Sequence, residues 1–160
     1  MSGAAAAARC STETATLALG ERIGTRVEPG DLILLSGELG AGKTVLVRGI
    51  ATGMGIDPAL VRSPTFVLHH VYRAGAKVLH HLDLYRLGPS ADIRLLDIDE
   101  MLESGGVVVV EWGDHAARDQ RAIAGISISI DIDDDGSRRI TLLPGAPRRI
   151  SDAWNEGRRA

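Results

Sequence analysis

A chain of 160 residues is long enough for one sizeable hydrophobic core and short for two. With 44% hydrophobic but only 3% aromatic residues, that core must be built from Val, Ile, Leu and Ala, and no run approaches the roughly 20 apolar residues a membrane-spanning helix needs. The formal charge of −3 argues against a protein that grips nucleic acid over a broad basic face, and the single cysteine, Cys10, excludes an internal disulfide or a multi-cysteine metal site.

In chain order, "MSGAAAAARC" (1–10) lacks the basic start and Leu-rich centre of a secretory signal. Arg9 also stands where a lipoprotein cleavage site wants a small residue. This stretch is expected to be a disordered leader, and the protein cytoplasmic. "TETATLALGERIGTRV" (12–27) predicts a helix capped by Ser11 or Thr12, with Leu17, Leu19 and Ile23 inward. "LILLS" (32–36) is continuously apolar, as a strand buried on both faces of a parallel sheet would be. Residues 44–54 predict a helix with Leu46, Val47, Ile50, Ala51 and Met54 on one side. "VRSPTF" (61–66) is extended around Pro64. "FVLHHVY" and "VLHHLDLY", separated by "RAGAK", predict a hairpin. A helix over 92–104 leads to the apolar strand "VVVVEW" (107–112), and "ISISIDID" (126–133) alternates before "DDGS" turns it into "RRITLL". From Pro144 onward a loose polar tail is expected, so the domain proper spans 11–143.

Residues 37–44, "GELGAGKT", match G-x-x-x-x-G-K-[ST] between a predicted strand and a predicted helix, the context the motif needs. Gly37, Gly40 and Gly42 allow backbone angles closed to other residues, so that the amides of Gly37, Glu38, Leu39, Gly40, Ala41 and Gly42 can turn toward an anion at the helix N-terminus. Lys43 would reach the β- and γ-phosphates, and Thr44 would offer its hydroxyl to Mg²⁺. Lys43 is one of only two lysines against sixteen arginines, and arginine is too broad a fork for this cradle. The implied ligand is a nucleoside triphosphate.

Such a loop needs an acid near the metal, and Glu111 ends the apolar strand "VVVV". On "VLHHLDLY", period-two geometry puts Leu79, His81, Asp83 and Tyr85 on one face, so Asp83 could hold a metal-bound water or take its proton. Thr65, just beyond the helix, is spaced like a switch hydroxyl near a γ-phosphate. The histidines His69, His70, His80 and His81 have no tetrahedral spacing and no cysteine to assist, which argues against zinc.

"GELGAGKT", "VRSPTF", "HLDLYRL" and "VVVVEWGD", in that order and preceded by "TETATLALGERI", resemble the TsaE (YjeE) family of bacterial P-loop ATPases over about residues 11–143. The resemblance implies an α/β, P-loop NTPase-like three-layer fold with a mixed parallel/antiparallel central sheet. It implies ATP hydrolysis, weak in the isolated protein, and a part in making threonylcarbamoyladenosine on tRNA. In that family the ATPase docks on the TsaB–TsaD complex, so tRNA is met through the complex. Carried over by motif, residues 37–44 hold ATP, Thr44 and Glu111 bind Mg²⁺ with Asp83 nearby, Asp83 supports catalysis and Thr65 belongs to the switch. The base would be contacted by Thr12 or Glu13 and by a residue of Gly136 to Arg138.

Three other readings remain. A small-molecule kinase would need an arginine-bearing lid, for which "ARDQR" (117–121) is the candidate. A GTPase would need N-K-x-D, which Lys77 in "GAKVL" does not supply. A nucleotide-gated adaptor would bind without useful hydrolysis.

Overall fold

The apolar run that looked buried on both faces becomes the middle of the sheet. The computed structural model describes residues 4–88, 96–112 and 125–158. Its elements are β1 (Ala6–Cys10), α1 (Glu13–Gly24), β2 (Leu32–Ser36), α2 (Lys43–Gly53), β3 (His69–Ala74), β4 (Lys77–Asp83), α3 (Ile98–Glu103), β5 (Val107–Glu111), β6 (Ile126–Ile132), β7 (Arg138–Leu142) and α4 (Arg148–Glu156). The strands form one seven-stranded sheet in the order β1-β7-β6-β2-β5-β4-β3. β6, β2, β5 and β4 run parallel, whereas β7, β1 and β3 are antiparallel to their neighbours.

Alternation along each central strand divides two cores. Ile33, Leu35, Val107, Val109, Ile128 and Ile130 pack against α1, α2 and α4. Leu32, Leu34, Val108, Val110 and Leu82 meet Ile98, Met101 and Leu102 of α3 on the other face. Helices on both faces of a mixed sheet make the three-layer α/β architecture expected from the sequence. α1 and α2 touch backbone to backbone, since a Cβ added at Gly24 would lie 2.1 Å from the Ile50 carbonyl oxygen and one at Gly53 would lie 2.2 Å from that of Glu21. This close seam fixes the axis of α2, and with it the loop at its N-terminus.

Both ends of the chain correct the expectation. Residues 6–10 are not a loose leader but an edge strand, in register with β7 from Ala6↔Leu142 to Cys10↔Arg138. Alanines have small side chains and no alternation to reveal a strand; backbone pairing and the Arg9 bond to the Ser137 hydroxyl (3.0 Å) hold it. The polar tail likewise contains α4, whose Ile150, Ala153 and Trp154 lie on one helical face and are fully buried. Arg149 anchors it, with Nη2 2.5 Å from Asp31 Oδ1. β3 begins at His69 rather than Phe66, because Leu68 takes φ 71° and breaks the extended run. β4 stops at Asp83, and Tyr85 opens a 3-10 turn instead of continuing the strand face. The first part of the predicted 92–104 helix and the whole of 117–121 lie outside the described residues. Among the described residues no helix is long and apolar enough to cross a membrane.

Candidate functional site: a glycine-rich loop facing two buried carboxylates

The loop leaves β2 at Gly37 with φ 153° and enters α2 through Gly42 with φ 104°, which serves as the N-cap without a side chain. A Cβ at Gly37 would also stand 2.5 Å from the Ile130 carbonyl oxygen, so the path admits only glycine there. Lys43 is 5% exposed. Its Nζ donates to the carbonyls of Gly37 (2.6 Å) and Glu38 (2.9 Å) and lies 3.9 Å from the centre of the Trp112 ring. Leu39 projects at the exposed tip of the loop, and Ala41 is buried at its base.

Parallel pairing of β4 with β5 sets Asp83 directly beside Glu111. Both carboxylates are buried, at 1% and 3% exposure, so their partners matter. Glu111 Oε1 accepts from the Thr44 hydroxyl (2.7 Å) and from His81 Nε2 (2.8 Å). Asp83 Oδ2 accepts from Thr65 Oγ1 (2.6 Å) and Ser63 Oγ (3.2 Å), while Oδ1 accepts from the Tyr85 amide (2.9 Å). A cleft of about 250 Å³ joins Lys43, Thr44, Thr65, Asp83, Glu111 and Trp112. The structure therefore brings together Lys43, Thr44, Thr65, Asp83 and Glu111, singled out in four separate stretches of sequence.

A second, smaller cavity of about 120 Å³ opens on the other side of Gly42, lined among others by Thr12, Glu13, Gly136 and Arg138. These are the positions expected near a base. Thr12 also caps α1 by accepting from the Ala15 amide at 3.1 Å. Arg138 reaches across to the loop, donating Nε to the Ala41 carbonyl (2.9 Å) and Nη2 to that of Gly40 (3.1 Å).

Sequence reasoning left out three contributors. Ser63 shares Asp83 with Thr65, and its signal was the "SPT" hydroxyl pair flanking proline. Trp112, with φ 63°, holds its ring against Lys43 and 5.0 Å from Tyr85. A left-handed angle at so bulky a residue costs on the order of 1–3 kcal/mol and marks a constrained position. His81 was placed on the face of Asp83, yet its bond goes to Glu111 across the strand pair. Nothing in one sequence gives that cross-strand register.

The other histidines stand apart. His69 Nε2 and His80 Nδ1 are 3.0 Å apart, and burial pushes both below the ordinary histidine range, with neighbouring positive groups adding to the shift. Among the described residues no three His, Cys, Asp or Glu side chains are placed to hold a metal by themselves. The Thr44 hydroxyl and the carboxylates of Glu111 and Asp83 are nevertheless hard oxygen donors, the kind that suits a magnesium shared with phosphate oxygens.

Comparison with known proteins bears on the family and the fold. The family described as "Threonylcarbamoyl adenosine biosynthesis protein TsaE" matches residues 10–140. The tRNA threonylcarbamoyladenosine biosynthesis protein TsaE of Treponema pallidum (strain Nichols) is 38% identical over 136 residues, covering 84% of this chain and 98% of its own. That of Mycobacterium tuberculosis (strain H37Rv) is 48% identical over 111 residues, covering 64% and 65%. That of Bacillus subtilis (strain 168) is 36% identical over 127 residues, covering 79% and 78%. Among solved structures, YdiB of Bacillus subtilis superposes with a TM-score of 0.74 at 28% identity, covering 99% of this chain and 97% of that one.

Proposed function

Because this chain belongs to the TsaE family of threonylcarbamoyl adenosine biosynthesis proteins, we propose that it binds and hydrolyses ATP in support of that tRNA modification. The observation that carries the reading is the half-buried Thr44–Glu111 bond beneath a glycine-framed loop whose lysine is held at its mouth. That arrangement suits a polyphosphate, because loop amides, the α2 N-terminus and Lys43 all present positive character to one small cleft.

In this reading Gly37 to Thr44 wrap the phosphates and Lys43 moves from the loop carbonyls toward the β- and γ-phosphates. Thr44 and Glu111 are the residues that would hold a magnesium ion directly, with Asp83 beside them to hold a water bound to it, and the ion when bound would neutralise charge on the phosphate oxygens. Asp83 keeps Ser63 and Thr65 at the γ-phosphate side of the cleft. The cavity at Thr12, Glu13 and Arg138 takes the adenine. The protein works in the cytoplasm, where ATP and tRNA are met, and acts beside TsaB and TsaD rather than transferring the threonylcarbamoyl group itself. Contacts of Thr65 with the γ-phosphate would be lost on hydrolysis, giving those partners two states to distinguish.

The test is calorimetric titration of the folded chain with ATP and Mg²⁺, alone and with TsaB and TsaD. Saturable binding is expected, and Lys43→Ala should weaken it by at least about 100-fold, as loss of a charge-assisted contact to phosphate would. No binding in either setting would refute the reading. Single-turnover hydrolysis in the same mixtures separates an ATPase from an adaptor that only binds.

A further inference from the structure

His81 is fully buried, does not line the cleft at the loop, and has no role in the proposed function. Yet it lies at the end of an unbroken run of hydrogen bonds. Its Nε2 is 2.8 Å from Glu111 Oε1, and the same oxygen accepts the Thr44 hydroxyl at 2.7 Å. An ionised carboxylate only accepts, so Nε2 carries the proton. His81 Nδ1 is buried and has no partner, so a second N–H there would go unsatisfied and the pocket accommodates the Nε2–H tautomer.

We infer that His81 is a positioning residue that orients Glu111, and through it the Thr44 hydroxyl, for the metal–nucleotide complex. The inference rests on the nucleotide reading above and adds a residue to it. Consider what Glu111 faces otherwise. Asp83 stands directly beside it in the parallel register, and like charges on adjacent strands repel. Asp83 is tied by Thr65, Ser63 and the Tyr85 amide. Among the described residues the Glu111 carboxylate is bonded by the side chains of Thr44 and His81, and Thr44 sits in the first turn of α2, beside the loop that must accept ligand. His81 is thus the partner contributed by the sheet. Its place is fixed by β4, whose neighbours β3 and β5 pair with it at His70 and Val109. With His81 donating, Oε1 is held where Thr44 donates to it. The threonine proton then points at the carboxylate, and the hydroxyl lone pairs are left to face the cleft. Without His81 the carboxylate can turn, and the threonine hydroxyl turns with it.

Three substitutions and one nucleotide-free measurement test this. Folding of each variant is checked by circular dichroism. His81→Leu removes the donor, His81→Gln keeps an N–H near the position of Nε2, and His81→Asn places one nearer Nδ1. ATP binding is measured with Mg²⁺ titrated in, and again in chelator. His81→Leu is expected to raise the half-saturating Mg²⁺ concentration by about 10- to 100-fold, the range for loss of a bond that orients a metal ligand. It should leave ATP binding in chelator within about twofold. His81→Gln should return the Mg²⁺ requirement to within about threefold of wild type, and His81→Asn should not. An unchanged Mg²⁺ requirement in folded His81→Leu overturns the inference, and so does equal behaviour of the Gln and Asn variants, which decides the matter if the Leu variant does not fold. Histidine side-chain nitrogen NMR of the nucleotide-free wild type should show His81 as the Nε2–H tautomer; an Nδ1–H tautomer overturns it. A wild type with the Nε2–H tautomer but no ATP binding keeps the His81–Glu111 bond and removes the nucleotide reading instead.

Discussion

Asp83 and Glu111 are neighbours across one strand pair, equally buried, and held in opposite ways. Glu111 ends β5, an interior strand with parallel partners on both sides, and is gripped by His81 from the sheet and Thr44 from α2. Asp83 ends β4, the inner strand of the edge hairpin, and is gripped by Thr65 and Ser63 from the irregular segment after α2. One carboxylate is bonded to the sheet and to α2, the other to a stretch of chain outside any strand or helix. In the proposed reading the difference gives them separate work: Glu111 would fix the metal–phosphate geometry, while Asp83 would couple the cleft to the Ser63–Thr65 segment.

The sharpest way to break that division is to neutralise each acid in turn without changing its size. Asp83→Asn should have the largest effect on turnover, a loss of about 100-fold or more in single-turnover hydrolysis, with ATP affinity within about threefold. A transition-state role behaves this way, because binding and turnover then part company. Glu111→Gln should lower hydrolysis less, by about 10- to 100-fold, and should show it chiefly as a higher Mg²⁺ requirement. If both variants lose ATP affinity alike, the two carboxylates are one functional unit and the contrast fails.

A smaller effect should follow from cutting the Thr65 tie alone. Thr65→Ala removes the shorter hydroxyl bond to Asp83 but leaves that of Ser63. Hydrolysis should fall about 10-fold, in proportion to one lost charge-assisted bond, and Thr65→Ser should restore most of it. Stimulation by TsaB and TsaD should fall further than basal turnover, because the segment is what those partners would read. Equal losses in the two assays would make Thr65 a local contact only.

How much of this could be read from sequence follows the kind of physics involved. The loop was legible because its chemistry is local: glycines at positive φ, one lysine and one threonine, all within eight residues. β2 and β5 were legible as continuous apolar runs, and Glu111 by ending one of them. The ends of the chain were not. β1 is alanine and arginine with no alternation, so only its pairing with β7 makes it a strand. α4 did carry a signal, Ile150, Ala153 and Trp154 at helical spacing, but polar neighbours outweighed it. The cross-strand facts were out of reach altogether. That Asp83 meets Glu111, and that His81 bonds Glu111 rather than its own strand-mate, depends on register, which pairs residues about 30 apart in the chain. The cavity near Thr12 and Arg138 was approachable only through the family resemblance.

The mildest test of the contrast uses pH. His69 and His80 sit across the β3–β4 hairpin with ring nitrogens 3.0 Å apart, and burial first, then neighbouring positive groups, hold both below the usual histidine range. A histidine with a lowered folded value binds its proton less readily folded than unfolded. Its contribution to stability is therefore complete above the unfolded value of about 6.5 and is lost as pH falls below that toward the folded value. Protonating both rings also sets like charges side by side on an edge hairpin. Protection factors of β3 amides, taken relative to the intrinsic slowing of exchange in acid, should accordingly fall between about pH 7 and pH 5.5 while those of β5 amides hold steady, and His80→Gln should flatten the dependence. Because β4 carries Asp83 and β5 carries Glu111, acid should erode hydrolysis before it erodes Mg²⁺-dependent ATP binding. Parallel loss of protection in both strands would mean that the sheet opens as one unit, and that Asp83 is held no more loosely than its neighbour.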